Sequence, residues 1–284
     1  MRVLCVGVAT LDIVNTVASY PPEDSEVRAT AQSQRLGGNA ANTAVVLAQL
    51  GVDVAWAGSL APDTPIIDTT FRQYGIDTSP ALRHSGGVAP TSYVTLSEAS
   101  GTRSIVHHRD LPEYSAEGFM ALDLSAYDWI HFEGRAVDQL AAMLRRVRQV
   151  GDLPVSLEVE KPRQGIEALF DQADLLLFSH AYARARGFAD AESLLCQLPD
   201  RLVATCTWGA RGAWAAAADG QVLHAPAPQL PQVVDTLGAG DVFNAAMVFE
   251  RWTGKPLAQA LTAAVALASL QCTRPGLALA AVQR

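Results

Sequence analysis

The sequence predicts an α/β protein: a mainly parallel central sheet covered by helices on both faces, with a small β-sheet standing off it as a lid. Three observations predict it. Short apolar, β-branched runs alternate with helical patterns through most of the chain. Two separated pairs of segments instead alternate apolar with polar residues, as strands with one wet face do. A glycine-rich turn, Asp235-Thr236-Leu237-Gly238-Ala239-Gly240-Asp241, opens into the helical run 242–249, which places it beyond the carboxyl ends of the strands, where ligands of such sheets bind.

Composition sets the outer bounds. The 284 residues are 49% apolar and 18% charged, enough for one large domain with a substantial core. A net charge of −8 and a pI near 5.2 leave no basic face for nucleic acid or anionic lipid. The partners expected are small soluble molecules. Cys5, Cys196, Cys206 and Cys272 are too scattered for a zinc or redox motif and read as reduced, mostly buried thiols. Asp12 interrupts the first apolar run before it could serve as an export signal, so a cytoplasmic protein is expected. The alanine-rich stretch 257–270 is shorter than a membrane span and reads as a buried helix.

In chain order, residues 2–8 suit a central buried strand. Residues 13–17 and 26–34 alternate as half-wet strands around the turn 20–25, and 91–96 with 103–108 form a second such pair around Ser100-Gly101. The core is therefore expected in residues 1–11, 36–88 and 113–284, and the lid in 12–35 and 89–112. Residues 37–50 form a strong helix stopped by Gly51. Then follow a strand at 54–58, a helix near 66–74, a strand at 129–132, a helix over 138–150, a strand at 154–159, a short helix near Glu167 and a strand at 175–178. Two further β segments, 201–207 and 212–217, precede the glycine-rich turn, and two helices close the chain.

The turn itself carries chemistry. Glycines two apart at a helix start leave backbone N–H groups unpaired and aimed at one point, an anion hole. Asp241 lies at its edge, where the helix dipole favours its ionised form. An acid beside a phosphate cradle points to phosphoryl transfer. At the other end of the chain Gly38 brings backbone close to a neighbour, while Asn39 and Asn42 share one face of a helix's first turn. Amides both donate and accept, which suits a polyhydroxyl ligand; a helix cap and a solvated residue are the plainer reading of the pair. Other nucleotide motifs are excluded. Gly254-Lys255 is followed by proline, so there is no P-loop, and Phe243 stands where the third glycine of a dinucleotide fingerprint belongs. His107, His108 and His131 have no third partner at metal-ligand spacing.

The early Gly38-Asn39 helix start and the late 235–241 motif together resemble the ribokinase/PfkB carbohydrate kinases, and within them the ketohexokinase (fructokinase) branch. Residues 4–7, 20–26, 129–135, 158–163 and 233–244 support that narrower similarity. The resemblance spans almost the whole chain. It implies a ribokinase-like three-layer α/β/α fold and an ATP-dependent kinase that phosphorylates the C1 hydroxyl of a ketohexose such as fructose. Asp241 matches the general base, and Gly238, Ala239 and Gly240 match the residues that present N–H groups to the transferring phosphate. Asp12, Gly38, Asn39 and Asn42 match the acceptor pocket, and Arg103 a basic lid residue that reaches the phosphate. Asp24 matches a turn that crosses into the partner subunit of a homodimer clasped through its lids. Trp208, Gly209 and Gly212 match the nucleotide loop, with Val265 and Cys272 as adenine neighbours. The cofactors implied are magnesium (Mg2+) with ATP, and potassium (K+) near Asp235.

The chain also departs from the pattern. Ser179-His180-Ala181-Tyr182 replaces the Asn-x-x-Glu of many ribokinase relatives, whose glutamate tunes magnesium; Glu160 is the nearest substitute, acting through water. Arg211 stands where ketohexokinases tend to be acidic. Another acceptor (ribose, a nucleoside or a keto-sugar acid) and a catalytically silent sugar-binding regulator are the alternative functions.

Overall fold

A computed structural model describes residues 1–279. The elements run β1 (Arg2–Val6), β2 (Thr10–Val17), β3 (Ala31–Gly37), α1 (Asn39–Gln49), β4 (Asp53–Ala57), β5 (Ser59–Leu60), α2 (Pro65–Gln73), β6 (Leu82–Arg83), β7 (Thr91–Ser97) and β8 (Arg103–His108). They continue with α3 (Ala116–Met120), β9 (Trp129–Glu133), α4 (Val137–Val150), β10 (Val155–Val159), β11 (Leu175–Phe178), α5 (His180–Ala185) and α6 (Ala191–Leu195). The chain closes with β12 (Ala204–Thr207), β13 (Ala213–Ala216), β14 (Val222–Ala225), α7 (Ala239–Trp252) and α8 (Leu257–Gln271).

Strand alternation builds the three layers. Val3 and Cys5 of β1 join one apolar cluster with Val45 of α1, Phe243 of α7 and Leu261 of α8. Leu4 and Val6 point the other way, into a cluster with Phe132, Leu144 of α4, Leu157 and Leu194 of α6. Each such side chain, fully buried, contributes about 1.5–3 kcal/mol. The central sheet has the order β14-β13-β12-β11-β10-β9-β1-β4, parallel from β12 to β4 and antiparallel through β13 and β14. The small sheet has the order β3-β2-β7-β8, two antiparallel pairs joined by the parallel contact of β2 with β7. Among the described residues no helix is long and apolar enough to cross a membrane.

Several boundaries differ from expectation. β3 begins at Ala31, not residue 26, because β2 offers its first partner there, Thr16 opposite Ala31. The strand expected at 201–207 is confined to β12, and β14 adds an antiparallel edge. The final motif turns helical at Ala239, three residues early, because Gly238 adopts φ 82° and serves as the N-cap. All four cysteines are free; Cys5 and Cys206 are buried, Cys272 is half-buried and Cys196 is exposed.

Candidate active site

Two helix starts face each other beyond the carboxyl ends of the central strands. α1 starts there because Gly38 has φ 93°, and a Cβ on it would lie 2.2 Å from the Val8 carbonyl oxygen. Asn39 is the first residue of α1, and Gly38 rather than Asn39 is its cap. α7 opens with Ala239, Gly240 and Asp241, and the space where a Gly240 side chain would stand is open. The space beside Gly240 is thus free, as an anion hole requires, while the Ala239 N–H already donates to the Thr236 carbonyl at 3.3 Å.

The two starts are bonded. Asn42 Nδ2 donates to Asp241 Oδ2 at 2.7 Å, joining residues 199 apart in sequence, and both side chains are buried. Asn42 is thus neither solvated nor wholly free for a ligand; its Oδ1 stays buried without a partner. One turn earlier, Asn39 Nδ2 donates to Glu158 Oε1 at 3.0 Å, and Glu158 Oε2 is buried without a partner. The first turn of α1 thus holds two buried carboxylates side by side, one from α7 and one from the end of β10.

The electrostatics correct one expectation. Burial pushes the Asp241 carboxyl well above the ordinary range despite the Asn42 bond, and the charges of Glu133, Glu160 and Asp12 push the same way. The helix dipole does not dominate there. Glu158 is raised too, first by burial and then by Asp241. Glu133, at the end of β9, is raised chiefly by burial; its Oε2 accepts from Val8 N at 2.9 Å and Ala40 N at 3.4 Å, tying the β1–β2 turn to α1. Glu133 and Glu158 were missed as site residues. Their signal is an acid ending an apolar strand, in Trp129–Glu133 and Val155–Val159, where an α/β sheet meets its ligands.

The small sheet supplies the other wall. Asp12 of β2 is buried and accepts from Thr10 Oγ1 at 2.7 Å; a Cβ on Gly37 would strike its carboxylate at 2.2 Å. Arg103 of β8 donates to Thr236 Oγ1 at 3.0 Å, within the glycine-rich motif. Arg35 of β3, also missed, pairs with Asp235 Oδ2 at 2.7 Å. Asp24 is not brought to this group: it lies in an exposed turn at φ 53°.

Of the residues expected to line the nucleotide, Trp208 is buried, with the Arg184 and Arg211 guanidinium carbons 5.2 and 6.0 Å from its ring centre. Gly209 and Gly212 both have positive φ, and a Cβ on Gly212 would lie 2.1 Å from the Ala225 carbonyl oxygen. Val265 is packed in the core with α7, and Cys272 uses its carbonyl to accept from Val234 N and Asp235 N. Neither is bonded to the loop at Trp208. Glu160 is half-buried beside Lys161, and Ser179 Oγ donates to its carbonyl at 2.6 Å while capping α5. Ser179 therefore pins the turn that carries Glu160. Among the described residues no group of three or more His, Cys, Asp or Glu side chains is placed to hold a metal ion.

Residues 1–283 match the pfkB family of carbohydrate kinases. Mouse ketohexokinase is 38% identical over 289 residues, covering 97% of this chain and 97% of that protein. Ribokinase from Bacillus subtilis is 27% identical, covering 95% and 92%. Ribokinase from Cryptococcus neoformans var. grubii, solved with ADP, superposes with a TM-score of 0.80 at 20% identity over 97% of this chain and 95% of that one, a likeness of fold. Fold and sequence together define an ATP-dependent carbohydrate kinase of ribokinase-like architecture. The chain belongs to the pfkB family.

Proposed function

We propose that this kinase transfers the γ-phosphate of ATP to the C1 hydroxyl of a ketohexose such as fructose. The 2.7 Å Asn42–Asp241 bond carries the reading, because it puts the acceptor-side helix and the anion hole at one point. Asp241 takes the proton of the C1 hydroxyl as that oxygen bonds to the γ-phosphorus and the bond to the β-phosphate oxygen breaks, releasing ADP. A raised proton affinity suits a base that acts late in a loose transition state. The N–H groups of Gly238, Ala239 and Gly240 take the charge of the transferring phosphate.

Asp12, Gly38, Asn39 and Asn42 hold the sugar; the unpartnered Asn42 Oδ1 is an acceptor suited to a hydroxyl. Arg103 meets the phosphate from the lid, whose closure excludes water. Trp208, Gly209 and Gly212 line the nucleotide, with Val265 and Cys272 as neighbours of the adenine. Glu160 would hold, through water, the magnesium that accompanies ATP, whose charge would help neutralise the phosphates. The lid sheets clasp a second copy of the chain and bring Asp24 to the partner's site. The similarity to mouse ketohexokinase supports a ketohexose such as fructose, while the similarity to a ribokinase supports ribose as the second reading.

Asp241→Asn tests the assignment. It keeps the fold and the Asn42 contact but cannot accept the proton, so ADP release with fructose should fall by about 10²–10⁴ while ADP binding, read by calorimetry, is retained. Unchanged turnover would show that Asp241 is not the base.

A further inference from the structure

We propose that Arg35 supplies, from within the chain, the positive charge beside Asp235 that the resemblance assigns to potassium, so that the kinase works without a monovalent cation. The inference rests on the kinase reading but not on which sugar is used. Asp235 begins the anion-hole turn, and its carboxylate is already engaged. Oδ2 accepts from Arg35 Nη1 at 2.7 Å and from Gly276 N at 3.2 Å, and Oδ1 accepts from Leu237 N at 2.9 Å. Its own N–H is bonded to the Cys272 carbonyl at 3.2 Å, which also accepts from Val234 N.

A potassium ion in contact with Oδ2 would have to lie against the guanidinium. The donor set therefore does not fit the ion. Gln271 leaves a buried Oε1 unpartnered on the same terminal segment, but one neutral oxygen does not replace the carboxylate that Arg35 holds. The arginine is half-buried, and its guanidinium is held against the carboxylate at 2.7 Å. It also lies opposite Asp12 across β2 and β3. One guanidinium thus fixes the turn before the anion hole from the same strand pair that presents an acceptor-pocket carboxylate. Arg35 is a positioning residue: it acts on the phosphate site through Asp235.

The test compares potassium chloride with choline chloride at matched ionic strength, which removes general screening as a variable. For the wild-type chain, the rate of ADP release and the ADP affinity should differ by less than about twofold between the salts, whereas Arg35→Gln should show stimulation by potassium of about fivefold or more. Arg35→Lys should restore indifference to the salt. Melting temperatures without substrate give a readout independent of turnover: potassium should stabilise Arg35→Gln selectively and leave the wild type unmoved. Strong stimulation of the wild type by potassium would overturn the proposal, as would an Arg35→Gln variant blind to the cation. If that variant does not fold, the wild-type salt comparison decides alone.

Discussion

Asn39 and Asn42 each donate to a buried carboxylate, Glu158 and Asp241, and the charge of Asp241 adds to burial in raising Glu158. The unpartnered Glu158 Oε2 costs about 1–3 kcal/mol of desolvation, an unfavourable arrangement unless a ligand or a shared proton uses it. Both carboxyls are raised above their ordinary values, 3.8 for Asp241 and 4.5 for Glu158. The folded state therefore binds protons more tightly than the unfolded chain. The stability this gives is complete below the unfolded pKa and is lost as pH rises through the raised folded values. Glu158→Gln removes one of the two charges. It should raise the melting temperature more in mildly alkaline than in mildly acid buffer, and shift the acid limb of kcat/KM to lower pH as the proton affinity of Asp241 falls. An acid limb that stays in place would show that Glu158 does not act on Asp241.

Among the elements, α1 was the most legible and the most informative. Its alanine-rich run, its glycine stop and its glycine start are all local signals, and the structure places the helix at Asn39–Gln49. Gly38→Ala should be costly: φ 93° strains an alanine by about 1–3 kcal/mol, and its Cβ would press on the Val8 backbone. The expected result is a lower melting temperature and a higher KM for the sugar with ADP affinity unchanged. An unchanged sugar KM would mean that this helix start does not shape the acceptor pocket. The elements that sequence reading did not find include α3, α5 and α6, each five or six residues long, the two-residue strands β5 and β6, and the edge strand β14. Segments that short carry barely more than one helical period, so only tertiary packing fixes them. Residues 26–29 failed for the opposite reason: a strand-like alternation that pairs with no strand.

At the scale of the whole molecule, the small sheet is the feature least explained by one chain. All of β8 is exposed, and Tyr93 and Val106, directly opposite each other in β7 and β8, are 50% and 70% exposed. An apolar pair beside an open sheet edge fits the proposed clasp with a second copy. Light scattering on the purified chain should report a dimer, and Val106→Glu should make it monomeric with loss of turnover, since Asp24 would no longer reach the partner. A wild-type monomer with full activity would remove that role from Asp24. This scale also explains what the sequence could not show by itself. Asn42 and Asp241, or Arg35 and Asp235, meet across about 200 residues, and no local pattern encodes such a meeting. The resemblance to a family joined the two motifs, while the carboxylates of Glu133 and Glu158 and the guanidinium of Arg35 emerged only from packing.

The central claim, a kinase for the C1 hydroxyl of a ketohexose, is tested most directly by ADP release over a panel of fructose, ribose, a nucleoside and a keto-sugar acid, with phosphorus NMR locating the new ester. The account predicts the highest kcat/KM for fructose and phosphate on C1. Preference for ribose or a nucleoside, or phosphate on another carbon, would contradict it.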